Sequence, residues 1–373
     1  MRLDARLRKF LGPLGRDARG LGMRLFAVGG CVRDDLLGLV TRDLDLVAEG
    51  DPRPLAAACV RRWGGAAEEF DRFGTVRLRL PGGARIDVAR ARAETYERPA
   101  SLPEVRPAGL QEDLARRDFT VNAMARELAP EGAGCLIDPF QGELDLKARR
   151  LRILHPLSLR DDPTRLLRGA RYAGRLGLRP EAGTFERIEE AVRQGWPALL
   201  SRERVRQELC RILEEKDPGP AMSLLKLWGL LRCFHPAFQW PASACRSSDA
   251  MVRLGLCALA MGPEKGLELV RSLPLDRGCG QMLELALETA REKSSPRSPL
   301  PEIARRALAL HLPRLPKKAL EPLLANGDDL CKLGLPPGKE YSRLLSLAAR
   351  AQWGGEFDTR RGALGWLERA LAK

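Results

Sequence analysis

Residues 25–47, LFAVGGCVRDDLLGLVTRDLDLV, constrain this chain more than any other stretch: an apolar run, two glycines, a short amphipathic segment, then two aspartates two residues apart in a second apolar run. Short apolar runs bounded by turn signals predict strands at 25–28 and 44–47, with a helix from about Val32 between them. Gly29 and Gly30, between strand and helix, let backbone N–H groups approach a phosphate closely, and the helix N-terminus adds a field that favours an anion. Arg33, on the first helical turn, can reach the same phosphates. Asp43 and Asp45, at i and i+2 on a strand, point to one face and present both carboxylates to a shared pair of divalent cations. A third carboxylate from a neighbouring strand would complete such a site, and Asp87 in ARIDVAR is the candidate. Alone, a Gly-Gly pair is usually a turn and a DxD pair usually surface charge. Their joint occurrence between apolar strand segments is what points to phosphate and metal chemistry.

Two further runs, 75–80 and 85–88, flank Pro81-Gly82-Gly83, which predicts an antiparallel hairpin in the same sheet. After about residue 150 the apolar spacing becomes helical, over 163–176, 184–194 and 205–215, and the second half reads as wholly α-helical. The Ser- and Pro-rich stretch 293–301 and the stretch 333–338 mark breaks between helical pieces. At 373 residues the chain exceeds what one core usually organises, so the expected class is α+β: a head with a mixed β-sheet, then helical domains. The formal net charge of +14 favours a polyanionic partner, nucleic acid or an anionic membrane surface. No apolar run approaches the roughly 18 residues of a membrane span, so no membrane insertion is expected and cytoplasmic residence follows by default. Nine cysteines without a CxxC pair, and three scattered histidines, argue for reduced thiols over a zinc site. Cys31, inside the glycine turn, reads as a small filler residue.

The pattern GGxVRD, a short gap and DxD resembles the signature of the DNA polymerase beta nucleotidyltransferase superfamily and, more narrowly, of class II CCA-adding enzymes and bacterial poly(A) polymerases. The resemblance continues through EDLARRDFTVNAMA at 112–125, IDPFQGELDLKARRLRIL at 137–154, DDPTRLLRGARYAGRLG at 161–177 and ERVRQELCRIL at 203–213. In the third of these Asp161 stands where the family motif EDxxR has Glu. The match runs from about residue 20 to 220. It implies a nucleotidyltransferase head at 1–145, an all-α neck at 146–220 that recognises the nucleotide base, and a helical body and tail at 221–373 that binds the tRNA acceptor arm. It also implies in-line attack by an RNA 3′-hydroxyl on the α-phosphate of CTP or ATP, with two Mg2+ ions at Asp43, Asp45 and Asp87. By their places in RRDFTxNA, Arg117 is assigned to the triphosphate or ribose side of the pocket and Asn122 to the nucleotide, although Asn122 reads equally well as a buried structural amide.

Chemistry gives Asp162 and Arg165 a sharper meaning. Cytosine and adenine both offer an exocyclic amine beside an unprotonated ring nitrogen, whereas uracil and guanine offer a carbonyl beside an N–H. A carboxylate accepting from the amine and a guanidinium donating to the ring nitrogen select C and A without a template, which is the role the resemblance implies for this acid and arginine. Asp162 also suits a helix cap before Pro163, a role compatible with base reading. Arg168 and Arg171 continue along the same helix and are expected near the nucleotide. The segment 93–114, with Glu94 and Tyr96, resembles the loop that full CCA enzymes use when switching from C to A, which weighs against CC-only addition. Full CCA addition, CC-only addition, A-only addition and poly(A) synthesis all remain compatible with these motifs. A non-catalytic RNA-binding protein would be expected to have lost a metal carboxylate, and all three are present. The basic residues Arg305, Arg306, Arg314, Lys317 and Lys318 suit either contact with the tRNA backbone or a solvated helix face.

Overall fold

The computed structural model describes residues 1–41, 43–70, 74–292, 300–312, 321–336 and 338–372, and these divide into two compact units, Met1–Leu200 and Ser201–Lys373. The first unit holds a seven-stranded mixed sheet built from β1 (Arg24–Val28), β2 (Leu44–Glu49), β3 (Ala66–Phe70), β4 (Thr75–Leu80), β5 (Ala84–Arg90), β8 (Ala125–Ala129) and β9 (Gly132–Ile137). Its order is β3-β4-β5-β2-β1-β8-β9, and only the β2–β5 pair is parallel. A separate hairpin of β6 (Arg92–Thr95) and β7 (Glu104–Pro107) follows β5 directly. The predicted hairpin at Pro81-Gly82-Gly83 is present as β4–β5, turned by Gly82 and Gly83 at φ +80° and +75°.

Helices α1 (Ala5–Arg8), α2 (Leu11–Gly20), α3 (Gly30–Leu36) and α4 (Arg53–Trp63) accompany the sheet. Strand alternation decides which residues the helices cover. Leu44, Leu46 and Ala48 of β2 join Ile86 and Val88 of β5 in one core with Leu14 of α2 and Leu55 and Cys59 of α4. Val47 joins Phe26, Val28, Leu110 and Leu114 in a second core on the opposite face. With a period of two, Asp45 and Asp87 fall on that second face, where apolar cover stops short of the strand ends.

The remaining helices of this unit are α5 (Leu110–Ala115), α6 (Gly142–Lys147), α7 (Ser158–Asp161), α8 (Thr164–Leu176) and α9 (Ala182–Arg193). The helix expected at 163–176 is α8, with Pro163 at its cap. A left-handed residue, Gly177 at φ +64°, ends it. The second unit is helical throughout its described residues, and the helix Ala250–Ala260 is its most buried member. There Arg253, 3% exposed, donates to the carbonyls of Leu213, Glu215 and Ser247 and so holds the end of the helix Arg202–Leu213. The change from sheet to helix near residue 150 falls inside the first compact unit, which holds residues 146–200 together with the sheet. Most of the expected break at 293–301 and residue 337 of the second break lie outside the described residues.

Candidate active site

Asp43 immediately precedes β2 and Asp45 lies within it, while Asp87 is Asp45's register partner across the parallel β2–β5 pair. Protein crowding around Asp45 pushes its carboxyl above the ordinary range, and repulsion from Asp87 and Asp43 adds to this against the pull of Arg117. Asp45 is nonetheless open to solvent, not sealed in a cavity. Asp87 behaves differently. Burial works against its charge, but Arg77 donates to both its oxygens at 2.9 and 3.1 Å and Arg85 adds a contact at 3.1 Å, and together they lower its pKa.

Among the described residues no three metal-binding side chains are gathered closely enough to enclose an ion. The donor set still suits a hard cation, because Asp43 and Asp87 both lie close enough to repel the charge of Asp45, and that repulsion is what a divalent ion would relieve. Asp87 stands beside them with its carboxylate engaged by the two arginines.

The glycine turn is shaped around an arginine. Gly29 adopts φ +71° and its N–H donates to the carbonyl of Met124 at 3.1 Å. A Cβ at this position would stand 3.0 Å from Nη1 of Arg117, so glycine is needed for the backbone and for the guanidinium. Arg117 is anchored by its Nε and Nη2 on Asp113, at 3.3 and 2.9 Å, and its field reaches Asp45 and Cys31. Cys31 is a buried filler, its thiol pushed up to about 12 chiefly by burial. Arg33 is 2% exposed: it pairs with Asp34 at 2.7 Å, donates to Oδ1 of Asn122, and lies over the ring of Tyr172 at 5.4 Å. Its Nη2 also stands 3.5 Å from where a Cβ of Gly30 would be.

Asn122 links this turn to α8. It donates to Asp118 Oδ1 at 3.0 Å, and Asp118 Oδ2 accepts from Arg168 Nε and Nη2 at 2.9 and 2.6 Å. Burial alone would raise the Asp118 carboxyl, but Arg168, Asn122 and Arg165 more than offset it and hold it at about 2. Arg168 also donates to the Tyr172 hydroxyl at 3.0 Å, and Arg168 and Arg171 both lie against the Tyr172 ring. Arg165 is 4% exposed and donates to Ser158 Oγ at 2.6 Å and to the carbonyl of Arg116 at 2.5 Å. Asp162, just before the cap residue Pro163, braces the start of α8 by accepting from Thr164 N at 3.0 Å and Thr164 Oγ1 at 2.5 Å, and its field and that of Arg165 both reach Tyr96.

The predicted residues thus form two groups within one unit: Gly29, Gly30, Asp43, Asp45, Asp87 and Arg117 at the strand ends, and Arg33, Asn122, Asp162, Arg165, Arg168 and Arg171 around α8. Sequence reasoning passed over Asp113, Arg116, Asp118 and Tyr172, which tie the groups together. For Asp113, Arg116 and Asp118 the sequence signal is the density of alternating charge in EDLARRD, whereas Tyr172 lies outside that stretch. In the second unit Arg306 pairs with Asp249 at 3.1 Å, whereas Arg314, Lys317 and Lys318 lie outside the described residues. Among the described residues no helix is long and apolar enough to cross a membrane.

Residues 25–152 match the family model described as the Poly A polymerase head domain. An A-adding tRNA nucleotidyltransferase of Geobacter sulfurreducens is 32% identical, covering 94% of this chain and 45% of that protein. A CC-adding tRNA nucleotidyltransferase of Deinococcus radiodurans is 40% identical, covering 60% of this chain and 58% of that protein. The chain spans about half the length of these curated relatives. Among solved structures, the Thermotoga maritima CCA-adding enzyme complexed with tRNA aligns with a TM-score of 0.64 at 26% identity, covering 99% of this chain and 97% of that one.

Proposed function

The chain belongs to the class II CCA-adding enzyme and poly(A) polymerase family, and from that premise we propose that it is a tRNA nucleotidyltransferase. It transfers CMP and AMP from CTP and ATP to the 3′ end of tRNA without a nucleic-acid template, building or repairing the CCA terminus. One observation carries the reading. Asp45 pairs in register with Asp87 and lies within the fields of Asp43 and of Arg117, which also lies against the glycine turn.

Asp43 and Asp45, with Asp87 as the third carboxylate, would hold Mg2+, which supplies activation of the attacking hydroxyl and neutralisation of the departing pyrophosphate. Arg117, fixed by Asp113 and facing Gly29, binds the triphosphate. Gly29 and Gly30 leave room for phosphate oxygens to approach the backbone. Asp162 accepts from the exocyclic amine of C or A, and Arg165 donates to the ring nitrogen. Arg33, Asn122, Arg168 and Arg171 bind the nucleotide, and Arg168, Asn122 and Arg165 keep Asp118 ionised. The head at 1–145 performs the chemistry, the neck at 146–220 reads the base, and the helices of 221–373 bind the acceptor arm. A tRNA substrate implies a cytoplasmic enzyme.

The test is extension of tRNA lacking CCA, lacking only the terminal A, or complete, with each nucleoside triphosphate separately. Addition of C and then A to the first, A to the second and nothing to the third is the expected pattern. A-only addition is a second reading, favoured by the A-adding relative that matches 94% of this chain, and it predicts extension of the second substrate alone. Untemplated adenylation of any RNA end would point to poly(A) synthesis, and no incorporation at all would refute the enzyme.

A further inference from the structure

Three parts of the site meet on Arg116. Its Nε and Nη2 donate to Asp113 Oδ1 at 3.0 and 2.7 Å, and its Nη1 donates to Glu94 Oε1 at 2.9 Å. Its backbone carbonyl accepts from Arg165 Nη2. Asp113, fully buried, gives its other oxygen to Arg117. Glu94, with its side chain 6% exposed, also accepts from Arg92 Nε at 3.0 Å and from the Tyr96 hydroxyl at 2.9 Å. The chain of contacts therefore runs from the hairpin β6–β7 through Glu94 and Arg116 to Arg117 on one branch and to Arg165 on the other.

Long arginine side chains lose substantial rotamer freedom when fixed, so an arginine held at both ends of its guanidinium is a spacer as much as a charge. Two carboxylates, Glu94 and Asp113, share three guanidinium groups here, from Arg92, Arg116 and Arg117. Without the charge of Glu94, Arg116 would draw harder on Asp113 and loosen its hold on Arg117, which Asp45 already attracts. We propose that Glu94, Asp113 and Arg116 form a strut of positioning residues that fixes the separation between Arg117 and Arg165, so that nucleotide choice depends on side chains that touch no nucleotide. The inference rests on the proposed nucleotidyltransferase reading and adds to it the coupling of its phosphate and base subsites.

The test uses the full chain with Glu94→Gln, which keeps shape and removes charge, and Arg116→Lys, which keeps charge and removes the fork. Calorimetric binding of CTP, ATP, UTP and GTP without RNA reads the strut independently of transfer, and thermal midpoints register any loss of folding. Both variants should bind all four nucleotides more weakly, with CTP and ATP losing about tenfold more than UTP and GTP, a selectivity loss of about 1.4 kcal/mol. Glu94→Gln combined with Arg165→Ala should be no less selective than Arg165→Ala alone, since residues acting through one another are non-additive. Wild-type selectivity in either single variant would overturn the strut. So would additive losses in the double variant, or a lowered thermal midpoint with selectivity intact. A wild-type chain that bound CTP and ATP selectively yet extended no tRNA would overturn the proposed function, while the binding ratios would still judge the strut.

Discussion

Asp45 and Asp118 lie in the same unit and protein crowds both, yet their carboxyls move in opposite directions. Asp45 rises, with Asp43 and Asp87 adding to the cost of its charge, whereas Asp118 is held at about 2 by Arg168, Asn122 and Arg165. One region keeps charge unsatisfied at a solvent-open strand end. The other spends its hydrogen-bonding capacity internally, around Tyr172. Unsatisfied like charges suit a site that waits for a cation and a triphosphate, and a closed network suits a site that must keep one shape to tell bases apart.

The comparison breaks first at the strand end. Asp43→Ala or Asp45→Ala should lower single-turnover transfer by about 1000-fold, as loss of several kcal/mol of metal-dependent stabilisation implies. Thermal stability should hold or rise, because each change removes repulsion. A variant that kept activity within about tenfold of wild type would remove the metal assignment from these residues.

At α8 the expected signs are reversed. Asp118→Ala strands Arg168 and Asn122 and should cost about 3 kcal/mol of stability in urea unfolding, as breaking a buried ion pair does. A loss confined to activity, with stability unchanged, would contradict the closed-network description.

The same carboxyl makes a pH prediction. Its folded value of about 2 lies below the ordinary 3.8, so its contribution is fully present above 3.8 and disappears as pH falls through 2. The amount is about 2 to 3 kcal/mol, and Asp118→Asn should flatten that part of the acid-unfolding profile. An unaltered profile would mean that other groups carry the acid sensitivity.

How much of this was legible in the sequence follows from the same division. β1, β2 and the β4–β5 hairpin announce themselves because apolar alternation and Pro81-Gly82-Gly83 are local signals. β3 does not, since all five residues Ala66–Phe70 are exposed at the sheet edge and offer no buried face to read. β8 and β9 escaped notice as well. Asp45 could be placed on the face opposite Leu44 and Leu46 from a period of two alone, whereas Asp43 falls just before the strand. Arg33 shows the limit: its position on the first turn of α3 was legible, but not that its guanidinium turns inward to Asn122 and Asp34. Which of Arg116 and Arg117 meets Glu94, and which faces Gly29, is likewise set by packing across elements distant in sequence. The switch to helical spacing near residue 150 was legible too, but spacing does not reveal that α7 to α9 belong to the same compact unit as the sheet.

The central claim, that base choice resides around α8 and separately from the carboxylates, is tested most directly with Asp162→Ala. The measurement is incorporation of each of the four nucleotides onto tRNA lacking CCA, repeated across a magnesium titration. Discrimination against UTP and GTP should fall by roughly tenfold to a hundredfold, the worth of a lost base-edge contact, while the magnesium midpoint stays where it is in wild type. An enzyme that is slower but still rejects UTP and GTP as wild type does would reduce Asp162 to a brace at the start of α8 and contradict the account.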